Sequence, residues 1–368
     1  MPHQAEGSDP LYIKSISSRQ IAMAFTGSFL GAGFVSGQEL TQFFAVFGSF
    51  GVLGMFFAVL MLFILGCLVM KIAKRTGFTE FDKIIVEKEI PWLRAVFGGV
   101  FIFFLFGLVV VMAAGAGALL NQVFAIPTIL GSALMIVFLA LIAMWEAKGV
   151  LTVFSITVPL LIVTAMICGV SSFFCFEGEN IMARPFSEAN PLLGNWLFST
   201  ITFVSYNMMA AVSILVPIAS EVKEEKTIDK GILQGAMQLM IVFVCILIPL
   251  ILHQTMLAGE ELPMLTLAEN IHPVIGIVYA ILLFCGMFGS ALSCLFGVTV
   301  RIKKIINIKT KTLIPALVVM SFIGSIAGFK ELIAILLPIC GYIGFLAMIG
   351  ITMHFVSLQK KISIDTIE

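Results

Sequence analysis

Charge is what this 368-residue sequence has least of: Asp, Glu, Lys and Arg together make up 11% of it, against 60% apolar residues. A soluble domain carries about 25% charged residues, so a chain of this composition could not leave its surface to water. Lysine plus arginine equals aspartate plus glutamate at 21 each, so there is no basic excess, and nucleic acid is not an expected partner. The seven cysteines (67, 168, 175, 245, 285, 294 and 340) show no CxxC or His-paired spacing and read as small packing residues. The four histidines (3, 253, 272 and 354) have no metal partner at i+3 or i+4. HExxH, GxSxG and a phosphate loop are missing as well, and Gly31 to Gly37 follows no strand and fails the dinucleotide spacing. Neither an enzyme nor a protein with a resident cofactor or metal is expected. Residues 1–18 lack the basic start, apolar core and small-residue cleavage site of a signal peptide, so the first apolar run is expected to be retained.

Helix-sized apolar runs fill the rest. A hydrocarbon core of about 30 Å needs about 20 apolar residues per helix. Ten runs qualify, over 20–47, 49–70, 94–125, 127–145, 149–173, 193–220, 230–257, 273–300, 312–329 and 331–357. With the N-terminus inside, nineteen of the 21 lysines and arginines fall in inner segments, leaving only Arg184 and Lys330 outside. That bias is the positive-inside rule, and it predicts a multi-pass protein of the cell membrane with both termini cytoplasmic. The fold class is therefore all-α and polytopic, with cytoplasmic tails over 1–18 and 358–368. An outer connector over 174–192 separates a first five-helix unit, 19–173, from a second, 193–357. Five is odd, so the second unit enters the membrane in the opposite sense: an inverted repeat. Phe34-Val35-Ser36-Gly37-Gln38 in the first span and Phe203-Val204-Ser205-Tyr206-Asn207 in the sixth echo each other at matching positions.

The first span carries Gly27, Gly31, Gly33 and Gly37 and then Glu39, the only charge away from the span ends. Glycine at this density argues against a continuous helix. Unwound backbone inside a membrane is tolerated only where protein or a water-filled cavity supplies its hydrogen bonds, so the segment is a candidate binding site. A straight helix from Arg19 would carry Glu39 to the outer interface, at about 1.5 Å per residue. A broken one leaves it deeper, where a carboxylate costs about 2.5–3.5 kcal/mol and calls for a cavity and a partner. Tyr206 and Asn207, deep in the sixth span, either line a pocket or bond a neighbouring helix. Ser290 and Ser293 are equally readable as packing residues that bond their own helix.

Five-plus-five inverted repeats with a glycine-broken first helix resemble the LeuT fold of the amino acid, polyamine and organocation (APC) transporter superfamily. The stretch Gly27-Ser-Phe-Leu-Gly-Ala-Gly-Phe-Val-Ser-Gly-Gln-Glu39 is similar to that of the YkvI-type bacterial membrane proteins, a family regarded as amino acid permeases. The resemblance implies first and sixth helices broken at the same depth. It further implies a solute carboxylate received by backbone amides of Gly31, Ala32 and Gly33, with Ser36 and Glu39 beside them and Thr202, Phe203, Ser205, Tyr206 and Asn207 across the pocket. A sodium site would draw on the carbonyls of Gly27, Leu30 and Gly289 and the hydroxyl of Ser293. The hydroxyl residue that often precedes that serine is Leu292 here, so one ligand is missing unless Ser290 or water replaces it. The fifth span has no lysine to stand in for sodium, which makes Glu39 the candidate proton carrier. Between spans seven and eight, Leu262 to Ala268 is expected to lie over the pathway mouth. The implied function is uptake of a small zwitterionic solute, an amino acid above all, with Na+ or H+. A ligand-sensing subunit that binds without transporting is the alternative. The expected partners are the solute and the lipid bilayer, and the oligomeric state stays open.

Overall fold

The computed structural model describes residues 16–78, 81–85, 90–144, 148–175 and 190–365, and among these no strand occurs. The expected connector over 174–192 and the N-terminal tail fall largely outside the described residues. The first span is three short helices, α1 (Ser18–Phe29), α2 (Ala32–Val35) and α3 (Gln38–Phe43), followed by a 3-10 turn at Ala45–Phe47. The next four spans are α4 (Ser49–Thr76), α6 (Pro91–Phe124), α7 (Thr128–Met144) and α8 (Lys148–Cys175), with a short α5 (Phe81–Ile85) after α4. The second unit comprises α9 (Trp196–Ala219), α10 (Glu225–Leu252), short α11 (Gln254–Leu257) and α12 (Pro263–Ile271), α13 (Pro273–Ile305), α14 (Thr310–Ser325) and α15 (Phe329–Asp365). Six of these helices are long and apolar enough to cross a membrane, and α7, α14 and the 159–175 part of α8 are shorter apolar helices. With the interrupted first span they account for the ten expected crossings.

The packing carries the signature of the repeat. α1 lies on α10 and α4 lies on α9; exchanging the first span with the sixth and the second with the seventh turns one contact into the other. The same exchange maps α6 on α15 onto α13 on α8, and leaves α6 on α13 and α7 on α14 as self-equivalent pairs. At the lysine-rich end, Lys71 pairs with Asp229 at 2.7 Å, and Arg75 grips Glu225 with two bonds of 2.7 and 2.8 Å. The Lys74 ammonium donates to the Val222 carbonyl at 2.5 Å, which ties the end of α4 to the link between α9 and α10.

One expectation is corrected. The sixth span is not broken: α9 runs without interruption over 24 residues. It contains no glycine, and its polar side chains turn back on their own helix. Thr200, Thr202, Ser205 and Asn207 each donate to the carbonyl four residues earlier, at 2.7, 2.8, 2.6 and 3.0 Å. Hydroxyls that bond i-4 carbonyls need no partner from outside, so their presence does not signal unwinding.

Several helices touch through glycine, as expected where small residues let membrane helices approach closely. A Cβ at Gly169 on α8 would lie 1.8 Å from the Cys245 carbonyl oxygen of α10, a backbone atom that cannot swing away. On α15, a Cβ at Gly341 or Gly344 would meet the carbonyls of Thr202 or Ser205 at 2.6 or 2.7 Å. Gly169→Ala should therefore lower unfolding stability by about 1–3 kcal/mol through overpacking. Gly99→Ala on α6, where nothing lies within 4 Å, should be neutral or stabilising. Thermal unfolding in detergent checks both, and equal midpoints for the two variants would contradict this packing.

Candidate functional site

The first span breaks twice. α1 ends at Leu30, Gly31 is extended (φ -76, ψ 169), and the chain re-enters a helix for one turn. It breaks again at Gly37, whose φ of +86 suits glycine and starts α3. At the first break the Gly31 N–H bonds the Phe29 carbonyl at 2.9 Å, so the Gly27 carbonyl loses its helical donor. The N–H groups of Ala32, Gly33 and Phe34 begin a helix and have no preceding carbonyl of their own turn to bond. At the second break the loose carbonyls are met from elsewhere. The Tyr279 hydroxyl of α13 donates to Val35 at 2.6 Å, and the Met264 N–H of α12 donates to Ser36 at 3.0 Å. The helix expected between the seventh and eighth spans is thus present as α12 and bonded to the break itself. A Cβ on Gly37 would press on Met264 Cγ at 2.9 Å, so the same glycine permits both the turn and the close approach of α12.

Doubling back in this way brings Glu39 against Gly33. A Cβ on Gly33 would lie 2.1 Å from Glu39 Oε1, so only glycine leaves room for the carboxylate. Glu39 Oε2 accepts a 2.8 Å bond from the Tyr206 hydroxyl of α9. Glu39 and Tyr206 are 7% and 3% exposed. Around them, Phe34, Phe43, Phe44, Phe203 and Phe243 meet edge to face with centroids 4.8–5.7 Å apart. Among the described residues the ion pairs lie elsewhere, at Lys71 and Arg75, so no lysine or arginine bridges to this carboxylate. An ionised carboxylate in such a place is costly unless a cation arrives.

Of the residues anticipated from sequence, Gly31, Ala32, Gly33, Ser36, Glu39, Tyr206 and Phe203 come together at the double break. Ser36 Oγ bonds the Gly33 carbonyl at 2.7 Å and accepts the Gln38 N–H at 3.3 Å. Thr202 and Ser205 instead face α15, against Gly341, Gly344 and Met348, and Asn207 donates to Phe203. The sodium-site candidates are spread differently. Gly27 is exposed with open space around it, Leu30 is a buried cap, Gly289 is buried, Ser290 half-buried and Ser293 exposed. Gly286, one turn before Ser290, packs on Ala32 of α2, which places α13 beside the break.

Two participants escaped the sequence reading. Tyr279 sits well inside the eighth span, and a tyrosine at that depth was the available signal. Gln38 was noticed only as part of the echoed pentapeptide, although it adjoins Glu39. Its amide nitrogen and oxygen are both buried without a hydrogen-bond partner, and the residue is 1% exposed.

No family model matches the sequence. The chain is 30% identical over 335 residues to the uncharacterized membrane protein YkvI of Bacillus subtilis, covering 91% of this chain and 94% of YkvI. It is 26% identical over 339 residues to the uncharacterized protein YyaD of the same organism, covering 89% and 94%. Among solved structures, MhsT in complex with L-phenylalanine superposes with a TM-score of 0.64 at 17% identity, over 91% of this chain and 87% of MhsT. A manganese transporter of Eremococcus coleocola superposes with a TM-score of 0.58 at 13% identity, over 90% and 76%. These likenesses establish a LeuT-type polytopic helical fold.

The Glu39–Tyr206 bond makes a local prediction. Tyr206→Phe should cost about 1–3 kcal/mol, because it leaves a buried carboxyl short of its donor. In a Glu39→Leu background the same change should cost much less. A double-mutant cycle by thermal unfolding that comes out additive within about 0.5 kcal/mol would show that the two groups do not interact.

Proposed function

The chain belongs to the family of the membrane protein YkvI, and on that footing we propose that it is a secondary transporter of a small zwitterionic solute, an amino acid above all, working by alternating access. The carrying observation is the buried Glu39, held between Gly33 and Tyr206 inside the doubly broken first span. A buried carboxylate beside Tyr206, whose ring packs on Phe43 and Phe203, needs a positive partner that can come and go. A proton or the solute ammonium supplies one. We assign Glu39 the role of proton carrier, with the solute carboxylate received by the N–H groups at the start of α2. The resemblance to MhsT bound to L-phenylalanine supports the amino acid class, and the fold supports transport over enzymatic chemistry. Sodium is the second coupling ion to test, because the first break releases the Gly27 carbonyl. In this reading the protein lies in the cell membrane with both termini cytoplasmic and needs no resident cofactor.

Purified protein in liposomes, offered labelled L-phenylalanine, L-alanine, L-glutamine and L-asparagine under a pH gradient or a sodium gradient, tests this. The wild type should accumulate at least one of them when the outside is acidic. Glu39→Gln should still bind it but lose gradient-driven uptake by about tenfold or more, equivalent to about 1.4 kcal/mol of coupling. Accumulation that follows sodium and ignores pH would transfer the coupling to the Gly27 region. Binding without accumulation would make the protein a ligand-sensing subunit.

A further inference from the structure

We propose that Gln38 is a specificity-determining residue, whose side-chain amide reads a group on the solute that presents a donor and an acceptor side by side. The inference rests on the transporter reading above and names the chemistry that its site selects.

Each backbone carbonyl from Gly31 to Gly37 already has a partner. The carbonyls of Gly31 and Ala32 accept from the N–H groups of Val35 and Ser36, at 3.1 and 2.8 Å. That of Gly33 accepts from Ser36 Oγ at 2.7 Å, and that of Phe34 from Gly37 N–H at 3.1 Å. Val35 is taken by Tyr279 at 2.6 Å, Ser36 by Met264 at 3.0 Å, and Gly37 by both the N–H and the hydroxyl of Thr41 at 2.9 Å. Glu39 has Tyr206. The neighbouring carbonyls of the break are thus in use, and Gln38, the first residue of α3, does not turn its amide back on its own helix as Thr200 and Thr202 turn their hydroxyls. Both its Nε2 and its Oε1 are buried and unpartnered.

A dry amide with neither bond made is disfavoured, and native structures rarely keep one without a reason. The group that answers both at once must give a hydrogen bond and take one at neighbouring atoms. An anion alone, or a hydrocarbon alone, leaves at least one end of the amide unmade. The ammonium and carboxylate of an amino acid head group satisfy the requirement, and so does a carboxamide on its side chain. Gln38 follows Gly37 directly and precedes Glu39, so the amide sits at the same double break that receives the carboxylate and holds the candidate proton carrier. A solute that pairs with it would stabilise the closed arrangement in which α12 is bonded to Ser36.

The test uses the purified full chain with L-phenylalanine, L-alanine, L-glutamine and L-asparagine as probes, in wild type, Gln38→Met and Gln38→Asn. Methionine has nearly the shape of glutamine and no need of partners. Without any probe, Gln38→Met should melt higher than wild type, because it removes an unmet amide; a lower or unchanged midpoint would show that the amide is satisfied in solution and would overturn the inference. With probes, Gln38→Met should bind about tenfold or more weakly. Loss across all four amino acids assigns the amide to the head group, and loss confined to L-glutamine and L-asparagine assigns it to a side-chain carboxamide. Gln38→Asn draws the same amide back by one methylene. It should bind between the other two, and it carries the comparison if the methionine variant does not fold. Wild type that binds while both variants bind equally well overturns the inference and leaves the transporter reading intact. Wild type that binds none of the four removes the substrate class from that reading and this inference with it.

Discussion

A carbonyl inside a bilayer has to be met by a donor, and in this chain that obligation concentrates on the seven residues from Gly31 to Gly37. The double break exposes more backbone than a helix would, and the structure answers with donors from three directions. Tyr279 comes from α13, Met264 from α12 and Ser36 from within the break. Remove any one and a buried carbonyl is stranded at a cost of about 1–3 kcal/mol. The rest of the architecture around the site follows from where those donors must stand. α13 has to lie against α2, which Gly286 permits. α12 has to reach in from the loop between the seventh and eighth spans, which Gly37 permits.

The same constraint explains which polar residues of the sixth span matter. Five polar side chains lie from Thr200 to Asn207, and all but Thr200 were read as candidates for a pocket. Four are consumed by their own helix. Tyr206, whose hydroxyl lies too far from its own backbone to bond back, donates to a neighbour instead, and it finds Glu39. The long phenol crosses to the Glu39 carboxyl, and nearer the start of α9 the Ser199 hydroxyl crosses to the Phe43 carbonyl at 2.7 Å, so two side chains tie α9 to the first span.

Much of the fold could be read from the chain, because the signals were of the kind a bilayer enforces residue by residue. Apolar runs of sufficient length, glycines crowded between Gly27 and Gly37, and lysine and arginine segregated to alternate loops all act locally. The expected break in the sixth span failed for the opposite reason. It rested on a resemblance and on the echo of Phe34 to Gln38 in Phe203 to Asn207, and that echo has Tyr206 where the first span has the Gly37 that turns its chain. Gln38 shows the same limit from the other side. Nothing in its neighbours Gly37 and Glu39 says that its amide is left over; that emerges only when the partners of every nearby carbonyl are accounted for. Likewise Ser293 and Gly27, joined in expectation as ion ligands, lie on faces whose exposure no spacing rule could foretell.

α12 has one more consequence. Besides its bond to Ser36, it is fastened to the far end of α6, where Gln122 donates to Thr266 at 3.0 Å and to Glu269 at 2.9 Å. One short helix therefore bridges the break of the first span and the end of α6, like a bolt shot across a door and its frame. Its hold combines those hydrogen bonds with the burial of Met264, Leu265, Leu267 and Ala268, so freeing it would expose apolar surface as well as polar groups.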